Sequence, residues 1–245
     1  NKNISQILYD EELREAYHLF LLAEIRDIKK KSEAEELKKI TDIILNSFRS
    51  LKKLPAETLF ESALAQINQN LAGLAQKGQK SWLGKFSALI AFKSPENIFL
   101  SNIGQTSVWL KRKTEVSEIL APEKKSKHPL RTFQNFMTGK IKEEDSLILT
   151  TSNVFNYISL PLFLKTLASG SLAETCMAFS NILKDSADAS EAFASFMLKF
   201  TKEQELEQKV LPVNETYSLL PEETASATGY RFADFVPKLS FRFKL

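Results

Sequence analysis

The sequence predicts an α/β (α+β) fold, because long helical periods and short β-type apolar runs follow each other along one chain. Two amphipathic helical stretches fill residues 33–78, and three apolar runs of strand length follow between residues 86 and 113. With 43% hydrophobic residues in 245, the chain can bury a substantial core. A globular domain is therefore the expected product.

The N-terminal third predicts one buried strand followed by two helices. Residues 18–25, "HLFLLAEI", form a short apolar run that ends in a charged loop, which is typical of a buried strand. Ser32 and Glu35 have capping-box spacing, and apolar residues then recur at helical intervals over about 33–52. Pro55 suits the start of a second helix, which runs to Gly78. We expect the two helices to pack side by side on one sheet.

The middle of the chain has β-type texture. Three runs, "FSALIAFK", "NIFLSNIG" and "TSVWLKRK", are separated by turn residues and predict a three-strand meander. Further on, "SLILTT" predicts a strand, residues near 160–168 and 171–184 predict two helices, and "FASFMLKF" is a last apolar run. Trp82 and Trp109 are interpreted as packing residues.

We place one domain at residues 1–200 and a C-terminal tail or linker at 201–245. The tail begins with the charged "TKEQELEQK" and ends in the aromatic "YRFADFVPKLSFRFKL". Exposed aromatic residues need a partner, so this segment is expected to dock on the domain or to lead to another region.

Composition excludes several classes of function. The net charge of +3 is too small to favour nucleic acid as a partner. No apolar run reaches the length of a membrane span and the N-terminus is no signal peptide, so the expected location is cytoplasmic, or the cytosolic face of a membrane if the chain is part of a longer protein. The single cysteine, Cys176, is expected to be a buried, inert thiol.

Common catalytic arrangements are also missing from the sequence. Two distant histidines, His18 and His128, do not make a zinc site with one cysteine, and there is no nucleophile elbow or phosphate-binding glycine loop. The acidic run Glu143, Glu144 and Asp145 is interpreted as a solvated turn before a strand.

Three stretches carry a resemblance to a known family. "LIAFKSPENIFLSNIGQTSVWLKRK" resembles paired strands in which Asn-hydrophobic-Gly-Asp ends the first; Asn102, Ile103 and Gly104 match, and Gln105 replaces the acid. "FMTGKIKEEDSLILTTSNVFNYIS" resembles a segment in which a Gly is followed after a few residues by an Asp, then by three apolar residues and Ser-Asp-Gly. "HLFLLAEIRD" lies where this family has its first strand, which ends in Asp-Gly. In order and spacing they resemble the metal-dependent PPM-type (type 2C) serine/threonine protein phosphatases over roughly residues 15–200.

The resemblance implies a four-layer α-β-β-α sandwich of two antiparallel sheets flanked by helices, and a site with two divalent metals held by aspartates. The implied ligand positions of this chain are degenerate: Glu24 and Ile25, Ser152 and Asn153, and Glu191, with Asp185 and Asp188 as alternatives for the third position. Ser152 offers a neutral hydroxyl, Glu24 displaces its oxygens by about 1 Å relative to Asp, and the branched Ile25 is expected to crowd the metal shell.

The predicted function is therefore a pseudophosphatase with no catalytic residues and no cofactor, acting in signalling as a scaffold for a protein partner such as a phosphoprotein. One alternative is a divergent Mg²⁺- or Mn²⁺-dependent phosphoserine/phosphothreonine phosphatase that uses Glu24 and Glu191. A second alternative is an unrelated α/β interaction domain. The sequence does not identify the partner, the oligomeric state or the binding residues.

Overall fold

The chain folds into four layers, a helix pair, two sheets and a second helix pair, in a computed structural model that describes residues 2–14, 17–28, 31–123, 128–186, 194–201 and 217–218. In chain order the elements are β1 (Lys2–Arg14), β2 (Tyr17–Ile28), α1 (Lys31–Ser50), α2 (Ala56–Gln76), β3 (Phe86–Lys93), β4 (Ile98–Ile103), β5 (Thr106–Arg112), β6 (Glu115–Leu120), β7 (Met137–Gly139), β8 (Ser146–Thr151), α3 (Leu160–Ser169), α4 (Leu172–Ser186), β9 (Ser195–Lys199) and β10 (Tyr217–Ser218). Short 3₁₀ turns cover Pro129–Arg131 and Ser152–Asn156.

The strands form two antiparallel sheets. Within the described residues, the first sheet has the order β10-β1-β2-β3-β4-β7 and the second has the order β6-β5-β8-β9. The predicted α/β (α+β) class and the four-layer arrangement are both confirmed.

The first sheet is buried on both faces, and β2 shows how its sequence achieves this. Leu19, Leu21 and Ile25 pack with α1 and α2, whereas Phe20 and Leu22 pack with the second sheet. Because side chains alternate along a strand, a run apolar at every position supplies both faces. This explains why "HLFLLAEI" shows no polar alternation.

The helices cover the outer faces, as their apolar periods require. On one side, α1 and α2 pack against each other and the first sheet, which confirms the expected helix pair. On the other side, α3 and α4 cover the second sheet through a cluster of apolar residues: Trp109, Ile148, Val154, Ile158, Phe163, Leu167 and Phe179. Trp82 and Trp109 are both buried, as predicted.

The predicted meander is wrong at its third strand. β3 and β4 pair in the first sheet, but β5 crosses over and pairs with β8 in the second. The turn that crosses contains Gly104 at φ +76°, a conformation that favours glycine. Sequence reasoning also missed β1, β6 and β7, whose polar or short sequences lack the apolar signal of a central strand.

Two further expectations are corrected. Asp145 is buried rather than solvated, because its carboxylate pairs with Arg112. Cys176 is exposed on α4 rather than buried, although partial burial of its thiol raises the pKa and disfavours the nucleophilic thiolate.

The C-terminal tail lies mostly outside the described residues, so the domain division at residue 200 stays a prediction. Tyr217 and Ser218 pair with Ile7 and Gln6 of β1. Of the helices described, none has the length and apolar character needed to cross a membrane.

Candidate functional site

The candidate site lies where the two sheets meet at the ends of β2 and β8. Glu24 projects from β2 between the sheets, on the same face as Phe20 and Leu22. Ser152 and Asn153 follow β8 directly and begin the 3₁₀ turn. We call Glu24, Arg26, Ser152 and Asn153 the Glu24 corner.

Glu24 is fully buried and accepts hydrogen bonds from both sides of the corner. The Arg26 guanidinium donates through Nε to Glu24 Oε1 and forms an ion pair with it. Asn153 Nδ2 donates to the same oxygen at 3.2 Å. A buried carboxylate is tolerated only when it is paired and hydrogen-bonded, and both conditions are met here.

A second set of contacts ties the sheets together beside Glu24. Ser87, the cross-strand neighbour of Glu24 on β3, accepts a hydrogen bond through Oγ from the Gln105 backbone N–H at 3.1 Å. The Gln105 carbonyl in turn accepts from the Ser152 backbone N–H at 2.9 Å. The resemblance implies an acid at residue 105. Gln105 instead joins Ser87 and Ser152 through the hydrogen bonds of its backbone.

Gly104 is required by this close approach as well as by its φ. A Cβ at this position would lie 2.5 Å from Ser87 Oγ and 2.9 Å from Ser87 Cα. Asn102 next to it is also structural, because its side-chain amide donates to the carbonyls of Thr106 and Ala121. The matching residues of the Asn-x-Gly stretch thus build the crossover turn.

The predicted site residues are only partly brought together. Glu24 and Asn153 are in contact, and Ser152 adjoins Asn153. The side chain of Ile25 packs with the α1–α2 core on the opposite face of the sheet, so the expectation that it crowds the site is wrong. Asp185 lies in the last turn of α4, and Asp188 and Glu191 lie outside the described residues.

Arg26 was missed by sequence reasoning, although the strand's period could have identified it. Residues two apart on a strand share a face, so Arg26 must follow Glu24 on the inner face of β2. Its side chain is 20% exposed, whereas the side chain of Glu24 is fully buried. The Arg26 side chain is therefore closer to solvent than the Glu24 side chain.

The polar groups left over at this corner include hydrogen-bond donors. Within the described part of the chain, three atoms of the corner are buried and make no hydrogen bond: Arg26 Nη2, Ser152 Oγ and Oε2, the second oxygen of the Glu24 carboxylate. A guanidinium carries donors only, and a hydroxyl can donate or accept. Since a carboxylate oxygen only accepts, this mixture suits a water molecule, which can donate to Glu24 Oε2 and accept from Arg26 Nη2.

The described residues of the Glu24 corner do not fit a pair of divalent metal ions. Mg²⁺ binds about six oxygens in a tight octahedron, and two ions bring four positive charges that carboxylates must offset. Among the described residues, no group of three or more His, Cys, Asp or Glu could hold a metal ion. At the Glu24 corner a single carboxylate is already neutralised by Arg26.

Solved structures share this fold at low sequence identity. The serine/threonine phosphatase of S. agalactiae matches with a TM-score of 0.57 at 9% identity, over 80% of this chain and 99% of that chain. The PP2C phosphatase domain with a fragment of the regulatory domain of SpoIIE from Bacillus subtilis matches with a TM-score of 0.57 at 9% identity, over 80% and 63%.

A third solved structure, the catalytic domain of the serine/threonine protein phosphatase PstP in complex with two manganese ions, matches with a TM-score of 0.50 at 12% identity, over 74% of this chain and 91% of that one. No protein-family profile matches the chain, and no curated protein sequence matches it. The fold is that of the PP2C-type phosphatases, as the three sequence motifs implied. The shared fold argues against the alternative of an unrelated α/β interaction domain, because that alternative set the resemblance aside.

Proposed function

We propose that this chain is a catalytically inactive PP2C-fold domain that acts as a protein-binding or regulatory scaffold. The observation that carries the proposal is the engagement of Glu24, the acid nearest in position to a metal-bridging aspartate, by Arg26 and Asn153. The Glu24 charge is offset by the Arg26 guanidinium and its Oε1 already accepts two hydrogen bonds, so the carboxylate is a poor ligand for a divalent ion.

The partner we propose is a protein, with a phosphoprotein as the favoured form. The Arg26 side chain supports this choice, because it is 20% exposed and charge-assisted hydrogen bonds from a guanidinium are well suited to phosphate oxygens. The proposed scaffold would recognise the phosphate without hydrolysing it, since no metal-activated water is supplied. We further propose a cytoplasmic setting and no nucleic acid partner.

The test is a calorimetric titration of the purified domain with Mn²⁺ and Mg²⁺, with hydrolysis of a generic aryl phosphate followed in the same samples. We expect no binding heat at millimolar metal and no turnover above the blank. In a parallel assay without metal, we expect a phosphoserine peptide library to be retained over its unphosphorylated counterpart. Metal-dependent turnover would contradict the proposed function.

The enzymatic alternative, a divergent metal-dependent phosphoserine/phosphothreonine phosphatase, is tested by the same samples. If turnover is observed, the Glu24→Ala variant separates a real site from contaminating activity. Loss of turnover in Glu24→Ala would support the enzyme, and retention would assign the activity to another source.

A further inference from the structure

The Glu24 corner contains its own cation. We propose that Arg26 takes the electrostatic place of a metal ion at this corner, so that a guanidinium neutralises Glu24 and excludes divalent cations. The inference concerns the charge balance of the corner and does not depend on which partner the domain binds.

The position of Arg26 supports this assignment. It follows Glu24 by two residues on β2, so both side chains extend from the same face at the end of the strand. Its guanidinium donates to Glu24 Oε1, and its side chain is 20% exposed whereas that of Glu24 is fully buried. An ion arriving from solvent would therefore meet a positive charge before it reached the carboxylate.

The charge balance between Glu24 and Arg26 also supports the proposal that Arg26 takes the place of a metal ion. Glu24 contributes one negative charge and Arg26 one positive charge, so the buried pair is neutral. A divalent ion beside Glu24 would have to displace the guanidinium or tolerate its repulsion at short range in a poorly screened environment. Neither serine nor asparagine at 152 and 153 adds a compensating charge.

The hydrogen bonds of Glu24 also link the two sheets, as a bridging metal ion could do. Glu24 Oε1 is shared between Arg26 of the first sheet and Asn153, which follows the second sheet. Asn153 is only 5% exposed, so this bridge is shielded from water. The carboxylate thereby links the two sheets at one end of the sandwich without a metal ion.

The experiment compares thermal unfolding of the purified chain and its variants with and without millimolar MnCl₂. The wild-type Tm is expected not to change with Mn²⁺. Arg26→Met leaves a buried carboxylate without its cation, so its Tm is expected to fall by about 5 °C. Mn²⁺ is expected to restore part of this loss, because the carboxylate that has lost its guanidinium can then bind the ion.

Two further variants separate charge from packing. Arg26→Lys keeps a positive charge and is expected to remain insensitive to Mn²⁺. Glu24→Gln/Arg26→Met has no charge to neutralise, so we expect it to be more stable than Arg26→Met and also insensitive to Mn²⁺.

The inference is overturned if wild-type Tm rises with Mn²⁺ as much as that of Arg26→Met, or if Arg26→Met is as stable as wild type. These outcomes are distinct from those of the proposed function. A domain that retained no phosphopeptide would remove the proposed partner and leave the Arg26 result intact. Metal-dependent turnover with no Tm response would contradict the scaffold but not the neutralisation of Glu24.

Discussion

The guanidinium of Arg112 holds the buried carboxylate of Asp145 with two hydrogen bonds, Nε to Oδ1 at 2.9 Å and Nη2 to Oδ2 at 2.7 Å. The backbone N–H of Lys142 donates to the same Oδ2 at 2.7 Å. Asp145 precedes β8, and its own backbone pairs with Phe200 after β9. This clamp fixes the start of the strand whose other end forms the Glu24 corner.

Asp145→Asn is expected to destabilise the chain by about 2 kcal/mol, because it replaces a charge-assisted bidentate pair by a neutral amide that cannot accept both bonds. The loss is smaller than that of a fully buried pair, because the Arg112 side chain is 39% exposed and solvent screens its charge. Urea unfolding at neutral pH measures the loss. The matched control is Glu61→Gln on the exposed face of α2, for which no change is expected.

At low pH the wild-type chain should lose the stability that the Asp145–Arg112 ion pair contributes. Burial alone raises the pKa of Asp145, but hydrogen bonds from Arg112 and Lys142 and the charge of Arg112 outweigh it and lower the pKa below its ordinary 3.8. A depressed folded-state pKa contributes stability above the unfolded value that is lost as pH falls through the folded one. The difference between wild type and Asp145→Asn should therefore shrink below pH 3.8.

Gly104→Ala should be strongly destabilising, and a second glycine provides the control. Alanine at 104 combines a φ of +76° with a Cβ 2.5 Å from Ser87 Oγ, so we expect a loss of about 2 kcal/mol or an altered crossover turn. Gly73 lies in α2 with nothing within 4 Å of an added Cβ. Gly73→Ala should stabilise by about 0.5 kcal/mol, since alanine favours the helix. Equal changes in Tm for Gly104→Ala and Gly73→Ala would contradict this prediction.

The sequence predicted the helices and strands well where the spacing of apolar residues within one element reflects which of its faces is buried. The α1 and α2 periods and the β2, β3 and β8 apolar runs follow directly from faces that must be buried. The crossing of β5 to the second sheet could not be predicted, because its partner β8 lies some forty residues later and the same sequence would also suit a meander. The polar strand β1 gives no apolar signal because it lies next to the edge of its sheet.

At the candidate site, Glu24, Ser152 and Asn153 were identified through the resemblance, but their chemistry was not. Length and charge arguments predicted poor metal ligands without showing which groups contact Glu24. Arg26 donates its hydrogen bond to Glu24 across one intervening residue, and Asn153 across 129 positions. The first contact was available from strand alternation, whereas the second depends on the packing of the two sheets.

His18 should make stability depend on pH between neutrality and pH 4. Burial, aided by the charge of Lys93, lowers the pKa of His18 from 6.5 to about 4. Its Nδ1 is hydrogen-bonded to the Tyr9 hydroxyl at 2.8 Å. The unfolded chain then binds more protons in this interval, so stability is full at neutral pH and falls as pH drops, by at most about 1.4 kcal/mol per pH unit.

The measurement is an NMR titration of the histidine ring protons, which is simple because the chain has only His18 and His128. His128→Gln assigns the two signals. We expect the His18 signal to titrate near pH 4 and the slope of stability against pH to be smaller in His18→Gln. A His18 midpoint above 6 would contradict the burial argument.

The last prediction is that a metal site can be introduced at the Glu24 corner by two changes. Ser152→Asp places a second carboxylate beside Glu24, where the resemblance implies an aspartate, and Arg26→Met removes the internal cation. Two carboxylates can then offset one divalent ion, so Mn²⁺ should raise the Tm of the double variant by more than it raises that of Arg26→Met alone. The matched control is Asn156→Asp/Arg26→Met, which puts a carboxylate at an exposed position in the same turn. An equal Mn²⁺ response in both double variants would show that the corner has no preference for a metal ion, and that its residues other than Arg26 also exclude one.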